Sequence, residues 1–359
     1  MIRIDEIYTE FFLPQVQDPA RTSLHWFEPF GTTAWHNIQS QPAVSDLRID
    51  SRRFLFWDQE PVSETTRDVA QRVRWSWLGE QHIVTSEWQS QQLQALCEEL
   101  DFRSHYYWYH GWASLDWFRG YDRMPRIQPW SQRELGRTFM APMRIIGGAR
   151  QHRVILMNHL IELNLLHNAI SFPLVCPVEG TGIHSVAQTL EAEYPGMAQR
   201  FDQIQLPMNF PGETGHPMVS YKLDLWDLIN TSLVYLVTET VATGRRQHVT
   251  EKTLKPIAAG MPFVVVGCQG TLEYLKSYGF RTFDSIWPET YDHIESDHER
   301  YRAVAELMRD LDSMSSLERA SMQRALADIV QHNLRHFYSG AFEQRLWQEM
   351  QHMLAEMAL

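Results

Sequence analysis

Residues 248–267 read HVTEKTLKPIAAGMPFVVVG, and this stretch decides the fold that the sequence predicts. A polar turn carrying Thr250, Glu251 and Lys252 opens a short helix, a glycine and a proline end it, and a run of Phe-Val-Val-Val follows as a buried strand. In parallel α/β sheets ligands collect at such turns, because backbone N–H groups and the helix dipole both favour anions there. The order of elements therefore predicts an α/β protein in which Lys252 faces a phosphate.

The residues before this stretch extend the pattern. Residues 233–238 form a strong buried strand that ends at Glu239, and a polar loop containing His248 leads to the helix. Two strand ends thus flank one helix, as in a βαβ unit with its ligand-facing loops on one side. Glu251 could accept hydrogen bonds from sugar hydroxyls. The alternative is that Glu251 and Lys252 only open the helix and lie in solvent, and a short motif does not choose between these readings.

The first half of the chain repeats the alternation of strand and helix. Residues 52–61, RRFLFWDQEP, predict an aromatic strand that ends in Asp58 and Glu60. That is where α/β enzymes place reactive groups, although two acids here also suit the start of the next helix. A second strand at 82–86 and a helix over 88–100 predict a parallel, doubly wound first domain.

Length and composition set the limits on class. A chain of 359 residues exceeds what one hydrophobic core organises, so we expect domains at 1–140 and 141–335 and a C-terminal helix within 336–359 that packs back on the body. The sequence has no apolar run of eighteen residues, which predicts a cytoplasmic protein with no membrane partner. The three cysteines are scattered, which favours reduced thiols over a disulfide or zinc framework.

The charge distribution bears on partners. The net charge of −12 disfavours nucleic acid as a partner unless a local basic patch overrides it. Residues 101–153 contain nine arginines and four acidic residues. Arginine interleaved with tryptophan and tyrosine is typical of proteins that hold a phosphate while stacking a base or sugar, and it also suits a nucleotide donor. The aromatic run at 105–118 is equally typical of a packed core.

Two of these arginines stand out by position. Arg150 and Arg153 follow the pair Gly147-Gly148 and lie three residues apart at the start of a predicted helix. Guanidinium groups make bidentate contacts with phosphate, so both are candidate pyrophosphate clamps. A glycine pair alone is weak evidence for a phosphate loop.

Taken together, these blocks resemble a known family. The Thr250-Glu251-Lys252 turn with its alanine-rich helix and valine strand resembles the donor-binding signature of the inverting α1,3-fucosyltransferases. The strand ending at Glu239, the aromatic strand ending at Glu60, and Arg153 match further blocks of that family. Residues 110–121 resemble bacteriophage-encoded glycosyltransferase-like proteins. The resemblance implies the GT-B fold, with two Rossmann-like, doubly wound domains and an interdomain cleft.

The resemblance also implies roles. Glu60 would be the general base, Arg153 and Lys252 would bind the donor diphosphate, and Glu251 would hold donor hydroxyls. An inverting transfer needs one carboxylate to take the acceptor proton and cations to stabilise the leaving diphosphate. We therefore expect a UDP- or GDP-linked sugar as substrate, with no metal and no other cofactor. The predicted site residues are Glu60 and Asp58 for catalysis, Arg150, Arg153, Glu239, His248, Thr250, Glu251 and Lys252 for the donor, and His110, Trp112, Asp116, Trp117, Arg119 and Tyr121 for the acceptor.

Three functions come into question, and transfer of a sugar to hydroxymethylated DNA is the leading prediction among them. The resemblance to phage proteins implies transfer to a 5-hydroxymethyl pyrimidine in DNA, with the base flipped out and stacked on the arginine- and aromatic-rich interval 103–153. The acidic net charge favours a surface glycan instead. A non-catalytic binding protein on the same scaffold is the third alternative, and the joint presence of Glu60, Arg153, Glu251 and Lys252 argues against it.

Overall fold

The computed structural model describes residues 3–27, 35–37, 51–75, 79–211 and 222–357. These residues divide into two compact units by their contacts. The first unit comprises Met1–Asp116, Arg245–His248 and Gly340–Leu359, and the second comprises Trp117–Gly244 and Val249–Ser339. The predicted boundary between residues 140 and 141 falls inside a strand of the second unit.

The strands of the described residues, in chain order, are β1 Thr22–Phe27, β2 Trp35–Asn37, β3 Arg52–Trp57, β4 Glu80–Thr85, β5 Phe102–Tyr106, β6 Arg137–Pro142, β7 Ala169–Ser171, β8 Ser232–Thr238 and β9 Phe263–Val266. The α-helices are α1 Glu64–Trp75, α2 Gln91–Leu100, α3 Tyr109–Phe118, α4 His152–Glu162, α5 Ile183–Leu190, α6 Met197–Asp202, α7 Trp226–Thr231, α8 Glu251–Ala258, α9 Thr271–Ser277, α10 Asp297–Asp312, α11 Ser316–Tyr338 and α12 Ala341–Met357.

The sheet of the first unit has the order β2-β1-β3-β4-β5, and all of its neighbouring pairs are parallel except β2 with β1. Its core forms where alternate residues of β3, such as Leu55 and Trp57, pack with Ile83 of β4 and Leu96 of α2. Burial of both faces explains why β3 reads as a continuous apolar run and not as an alternating one. The carboxyl ends of β3, β4 and β5 consequently lie along one edge.

The sheet of the second unit has the order β7-β6-β8-β9, with every pair parallel. The strand order reverses between β6 and β8, because the chain goes from β6 outward to β7 and then returns to the other side of β6. Such a reversal is a topological switch point, and ligands of α/β proteins bind outside the carboxyl ends of the strands there. With helices following the strands of both sheets, the predicted α/β class is confirmed.

The C-terminal helix α12 belongs to the first unit. Its stripe of Phe342, Leu346, Met350 and Met353 is buried, as the helical spacing of these residues predicts. The ring of Phe342 lies 5.6 Å from that of Trp108. None of the helices in the described part of the chain combines the length and the hydrophobicity that a membrane-spanning segment needs.

Candidate functional site

Glu239, the first residue after β8, joins that strand to α8. Its buried carboxylate accepts hydrogen bonds from the backbone N–H of Thr250 at 3.1 Å and from the Thr250 hydroxyl at 2.6 Å. The hydroxyl of Thr253 also donates to it. A buried carboxylate with this many donors is satisfied, so Glu239 fixes the start of α8 to the end of β8. Thr253 was not singled out from the sequence, although it is the second threonine of the TEKT motif.

Lys252 occupies the first turn of α8 and stays accessible. Its ammonium lies 2.9 Å from Glu251 Oε1 and 3.1 Å from Thr240 Oγ1. The side chain of Lys252 is 29% exposed, whereas that of Glu251 is 5% exposed. Thr250 caps the helix by accepting a hydrogen bond from the Lys252 N–H. The helix thus presents a cation at the carboxyl edge of the sheet, beside the end of β8.

Arg153, near the start of α4, reaches the same strand end from the other side of the switch point. Its Nη2 donates to the carbonyl oxygens of Thr238 at 3.0 Å and Glu239 at 3.1 Å, and its Nη1 donates to that of Ile145 at 2.7 Å. Burial and, as a smaller cause, the positive charge of Arg150 lower the pKa of Arg153 to about 9. The guanidinium therefore ties the segment at Ile145 to the end of β8 and lies beneath the surface.

His152 supports the same junction. Its Nε2 lies 3.0 Å from the carbonyl oxygen of Glu239, and a carbonyl can only accept, so Nε2 carries the proton. Burial lowers the pKa of His152 to about 3, which keeps the imidazole neutral at physiological pH. No periodicity or motif in the sequence indicates this role.

The side chain of Glu179 packs against the glycine pair that precedes α4. A Cβ on Gly147 would lie 2.5 Å from Glu179 Oε2, and Gly148 has a φ of +56°, which favours glycine. Arg150 Nη1 lies 3.8 Å from Glu179 Oε1. A carboxylate thus rests on the loop where the sequence predicted a phosphate, and the glycines are what allow it to come so close.

Asp58, the first residue after β3 in the first unit, is buried between two tyrosines. Oδ1 accepts a hydrogen bond from the Tyr8 hydroxyl at 2.8 Å, and Oδ2 accepts one from the Tyr107 hydroxyl. Burial raises the pKa of Asp58 to about 6, while the two tyrosine hydrogen bonds act in the opposite direction. Gln59 in turn donates to the Tyr8 hydroxyl at 3.2 Å.

Glu60 follows two residues later and is half-buried, which makes it the more accessible of the two predicted catalytic acids. The turn that carries it is fixed at both ends. Asp58 anchors its start, and the indole N–H of Trp57 donates to the carbonyl oxygen of Pro61 at 3.3 Å. Tyr107 was missed by sequence reasoning, although its place directly after β5 puts it on the same strand edge as Asp58.

Three of the predicted acceptor residues belong to the first unit, and the structure gives them internal contacts. The buried ring of His110 lies edge-on to that of His248, with centroids 5.1 Å apart. Trp112 is buried and lies edge-on to Trp347 of α12 at 4.9 Å. Asp116 accepts a hydrogen bond from the backbone N–H of Ile4 at 3.1 Å. His248, predicted as a donor contact, thus lies in the first unit with His110.

The other three predicted acceptor residues belong to the second unit. Trp117 is half-buried and Arg119 is exposed. Tyr121 is half-buried, and its ring centroid lies 5.9 Å from that of Trp226. The structure therefore divides the predicted acceptor set between the two units.

The arginine-rich interval does not form one basic surface. Arg133 is buried like Arg153, and donates to the carbonyl oxygens of Gln128, Ile229 and Ala259. Arg103 lies 3.3 Å from the carboxylate of Glu80. The exposed arginines of the interval outside these contacts include Arg119, Arg123 and Arg126.

A further buried arginine holds the loops after β8 and β9. Arg300 of α10 donates to the carbonyl oxygens of Gly267 at 3.0 Å and Ala242 at 2.8 Å, and the hydroxyl of Tyr301 also donates to Ala242. Arg300 was not singled out from the sequence. Its one available signal was position, because Arg300 precedes Val304 by one helical turn on the apolar stripe.

Within the described ranges, no three His, Cys, Asp or Glu side chains come together as a metal-binding group. Cys97, Cys176 and Cys268 are thiols that do not form disulfides with one another.

Comparisons with known proteins find similarity at the level of solved structures alone. No protein-family model matches the chain. No curated protein sequence matches it either. Among solved structures, the DNA-modifying enzyme beta-glucosyltransferase, solved with and without uridine diphosphoglucose, is similar with 10% identity and a TM-score of 0.42, over 84% of this chain and 74% of that one.

Two further solved structures are similar at the same level. The UDP-forming alpha,alpha-trehalose-phosphate synthase from Burkholderia xenovorans, in complex with glucose-6-phosphate, has 13% identity and a TM-score of 0.39, over 84% of this chain and 73% of that one. The N-terminal domain of trehalose-6-phosphate phosphatase from Candida albicans has 11% identity and a TM-score of 0.36, over 83% and 70%. At these identities and TM-scores the likeness carries no conclusion about activity.

Proposed function

We propose that this protein is a nucleotide-sugar-dependent glycosyltransferase of the GT-B type, with its donor site at the switch point of the second unit. The observation that carries the proposal is the convergence of α4 and α8 on the end of β8, with the accessible ammonium of Lys252 beside it. Helix starts and a cation at the carboxyl edge of a parallel sheet suit a diphosphate.

In this proposal the residues of the second unit divide the work on the donor. Lys252 contacts the diphosphate and stabilises the negative charge that develops as the leaving group departs. Arg150 supplies a second positive charge from the glycine loop. Arg153 and Glu239 position α4 and α8 from below by the buried contacts described above. With these cations in place, the proposed transfer needs no metal ion.

The chemical step uses one carboxylate of the first unit. Glu60 takes the proton of the acceptor hydroxyl as the acceptor oxygen bonds to the anomeric carbon. The bond from that carbon to the phosphate oxygen breaks, and its electron pair leaves with the nucleoside diphosphate. Attack opposite the leaving group inverts the anomeric centre. Asp58 acts on the position of Glu60 through the turn, since both Asp58 oxygens are occupied by tyrosine hydroxyls.

Thermal unfolding in the presence of UDP, GDP, ADP and CDP tests the donor site. A nucleotide present at a hundred times its dissociation constant stabilises the folded state by about 2.7 kcal/mol, so one of these should raise Tm clearly. Lys252→Ala should weaken that nucleotide's binding by roughly ten-fold or more, as for loss of a charge-assisted hydrogen bond. Lys276→Ala, which removes a lysine paired with Glu273 on α9, is the matched control. If none of the four nucleotides raised Tm, the proposal would be overturned.

For the acceptor, the charge distribution favours a glycan. The chain carries a net charge of −12. Within the arginine-rich interval, Arg133 and Arg153 are buried and donate their hydrogen bonds to backbone carbonyl oxygens. A polyanion gains most of its affinity from accessible cations, so the loss of these two from the surface weakens the case for DNA. We therefore place the glycan first among acceptors.

Hydroxymethylated DNA is the second candidate, supported by the exposed residues Arg119, Arg123 and Arg126. Incubation with hydroxymethylcytosine duplex DNA or with a glycan panel, each with UDP- and GDP-sugars, separates the two acceptors. Mass analysis of released nucleosides detects transfer to DNA, and mass analysis of the glycans detects transfer to a glycan. A gain of sugar mass on the nucleoside alone would reverse our order.

A further inference from the structure

A groove of about 780 Å³ opens on the first unit, and none of the residues assigned so far lines it. It is lined by residues of the edge strand β5 and of α2, together with Trp88, Arg245 and Glu356. Trp88 is 43% exposed, an unusual state for an indole, and its ring centroid lies 5.0 Å from that of Tyr106. The volume falls within the roughly 300–1,000 Å³ that is common for ligand sites.

The backbone around Trp88 is held rigidly. Trp88 exchanges two backbone hydrogen bonds with Gln247, at 2.9 and 2.8 Å, and the N–H of Gln91 donates to the carbonyl oxygen of Arg245. The next residue, Gln89, has a φ of +52°, a strained value for glutamine. Such strain persists only where the surrounding structure enforces it, and it is concentrated at binding and catalytic sites.

A buried ion pair lies directly behind this wall. Arg246 Nη1 lies 3.0 Å from Glu87 Oε1 and donates to the carbonyl oxygen of Val62 at 2.9 Å. The same Glu87 oxygen accepts a hydrogen bond from the N–H of Val62 at 2.7 Å. The contacts fix the segments on either side of Trp88, so the indole is presented to solvent by a preorganised frame.

The polar groups of the groove suit sugar hydroxyls. Gln91, Gln94 and Glu98 project from one face of α2, since they are spaced three and four residues apart, and all are exposed. Amide and carboxylate groups offer both donors and acceptors to hydroxyls. The flat apolar face of a pyranose ring packs on an exposed indole, and hydroxyls at the ring edge reach such neighbours.

The charge of the groove distinguishes between the two classes of ligand that can stack on an indole, nucleic acids and saccharides. The acids Glu98 and Glu356 line it against the guanidinium of Arg245, whereas the buried Glu87, which also borders it, is paired with Arg246. A net negative surface repels the phosphates of a nucleic acid and leaves a neutral saccharide unaffected. We infer that the groove around Trp88 binds a neutral oligosaccharide, with one ring stacked on Trp88 and Tyr106.

The position of the groove links it to the candidate catalytic acids, and its role as acceptor subsite rests on the proposed function. Tyr106 ends β5, and the following residue, Tyr107, donates its hydroxyl to Asp58. The groove therefore begins one residue from the network that fixes the turn of Glu60. A saccharide stacked at Trp88 lies along the same strand edge as those carboxylates.

Ligand-observed saturation-transfer NMR with maltotriose, cellobiose, lactose and N-acetyllactosamine tests the inference without any donor. We expect transfer to at least one of these, strongest at the protons of one ring face. Trp88→Ala should weaken that binding roughly ten-fold or more, as for loss of one stacking contact, and Trp88→Phe should restore part of it. Leu317→Ala, at an apolar residue of α11 that is 76% exposed, is the matched control and should bind as the parent does.

The outcomes separate this inference from the proposed function. No binding of any of the four saccharides, or equal binding by the parent and Trp88→Ala, overturns the groove. A single-stranded dC oligonucleotide that binds at Trp88 in place of the saccharides also overturns it. Nucleoside diphosphate stabilisation should be unchanged in Trp88→Ala. Saccharide binding at Trp88 without stabilisation by any nucleotide would leave the groove in place and remove the glycosyltransferase.

Discussion

At the scale of single residues, the two acids after β3 differ in what surrounds them. Asp58 is 2% exposed with both oxygens bonded to tyrosines, whereas Glu60 is half-buried. A general base must reach the proton it removes, so the accessible carboxylate is the one expected to react. Glu60→Gln should lower kcat for sugar transfer by about 10²–10⁴-fold, with nucleotide binding unchanged.

Steady-state transfer rates and nucleotide titration calorimetry on the same Glu60→Gln preparation check this expectation. Glu64→Gln, four residues later at the exposed start of α1, is the control and should transfer as the parent does. Retention of full kcat in Glu60→Gln would move the base to another residue.

The burial of Asp58 predicts a specific pH dependence of stability. Its pKa is raised to about 6 in the folded state, so the folded protein binds a proton there that the unfolded chain has released. Stability from this group is therefore fully present below the unfolded pKa and is lost as pH rises through about 6. Asp58→Asn removes the titration, so its free energy of unfolding relative to the parent should increase by roughly 1 kcal/mol from pH 5 to pH 7.

Urea unfolding of the parent and of Asp58→Asn at both pH values measures this difference directly. The comparison between pH values cancels any fixed effect of the amide on the bonds with Tyr8 and Tyr107. A difference between parent and variant that is the same at pH 5 and pH 7 would show that Asp58 titrates normally in the fold.

At the scale of elements, the junction of β8 with α8 joins helix capping to the proposed donor site. Thr250 caps α8 and also donates its hydroxyl to the buried Glu239. Thr250→Ala removes the cap and leaves a carboxylate oxygen short of a donor, which should cost roughly 1–3 kcal/mol of stability. Because the cap also sets the position of Lys252, we expect nucleotide affinity to fall as well.

Ser315 provides the matched control for this prediction. It caps α11 with a capping box formed with Glu318 and lies far along the chain from the strand ends. Ser315→Ala should lower the free energy of unfolding by about 1 kcal/mol and leave nucleotide binding as in the parent. Titration calorimetry measures both variants. If Thr250→Ala bound nucleotide as tightly as Ser315→Ala does, the junction of β8 with α8 would have no role in nucleotide binding.

The elements themselves were largely predictable, because their signals are local. The buried run of β8, the TEKT turn, and β9 after a glycine and a proline follow from periodicity and breakers within about thirty residues. The aromatic strand β3 and the apolar stripe of α12 were read in the same way. These signals depend on neighbours in sequence, which is why the predicted strand ends at Asp58 and Glu239 agree with the structure.

The partners of the candidate site residues were not predictable in this way. Tyr8 lies 50 positions from Asp58, and Arg300 lies 58 positions from the Ala242 carbonyl that it binds. The contact of Glu179 with the glycine pair and the hydrogen bonds of Arg153 with the carbonyl oxygens at the end of β8 likewise join segments that are distant in sequence. The type and spacing of a residue do not tell which remote carbonyl or carboxylate its side chain contacts. An arginine that is predicted to bind phosphate can therefore equally be buried and hydrogen-bonded to backbone carbonyl oxygens.

At the scale of the whole molecule, each unit has its own sheet, parallel except for the β1–β2 pair, and its own set of candidate ligand groups. The second unit carries the switch point with Lys252 and Arg150, and the first carries Glu60 and the Trp88 groove. The two proposed ligands therefore have separate binding surfaces within one chain. This separation predicts that each ligand stabilises a different part of the molecule.

Hydrogen exchange with mass spectrometry measures that localisation. A nucleoside diphosphate that binds the switch point stabilises the folded form against the local openings that expose its site, so protection should rise in peptides covering residues 238–258. Peptides covering β3, β4 and β5 should exchange as they do without ligand. Lys252→Ala at the same nucleotide concentration should lose most of the added protection, because the site is then less occupied. Protection that rises equally in both sheets, or only in β3–β5, would mean that the nucleotide binds elsewhere and that the end of β8 is not the donor site.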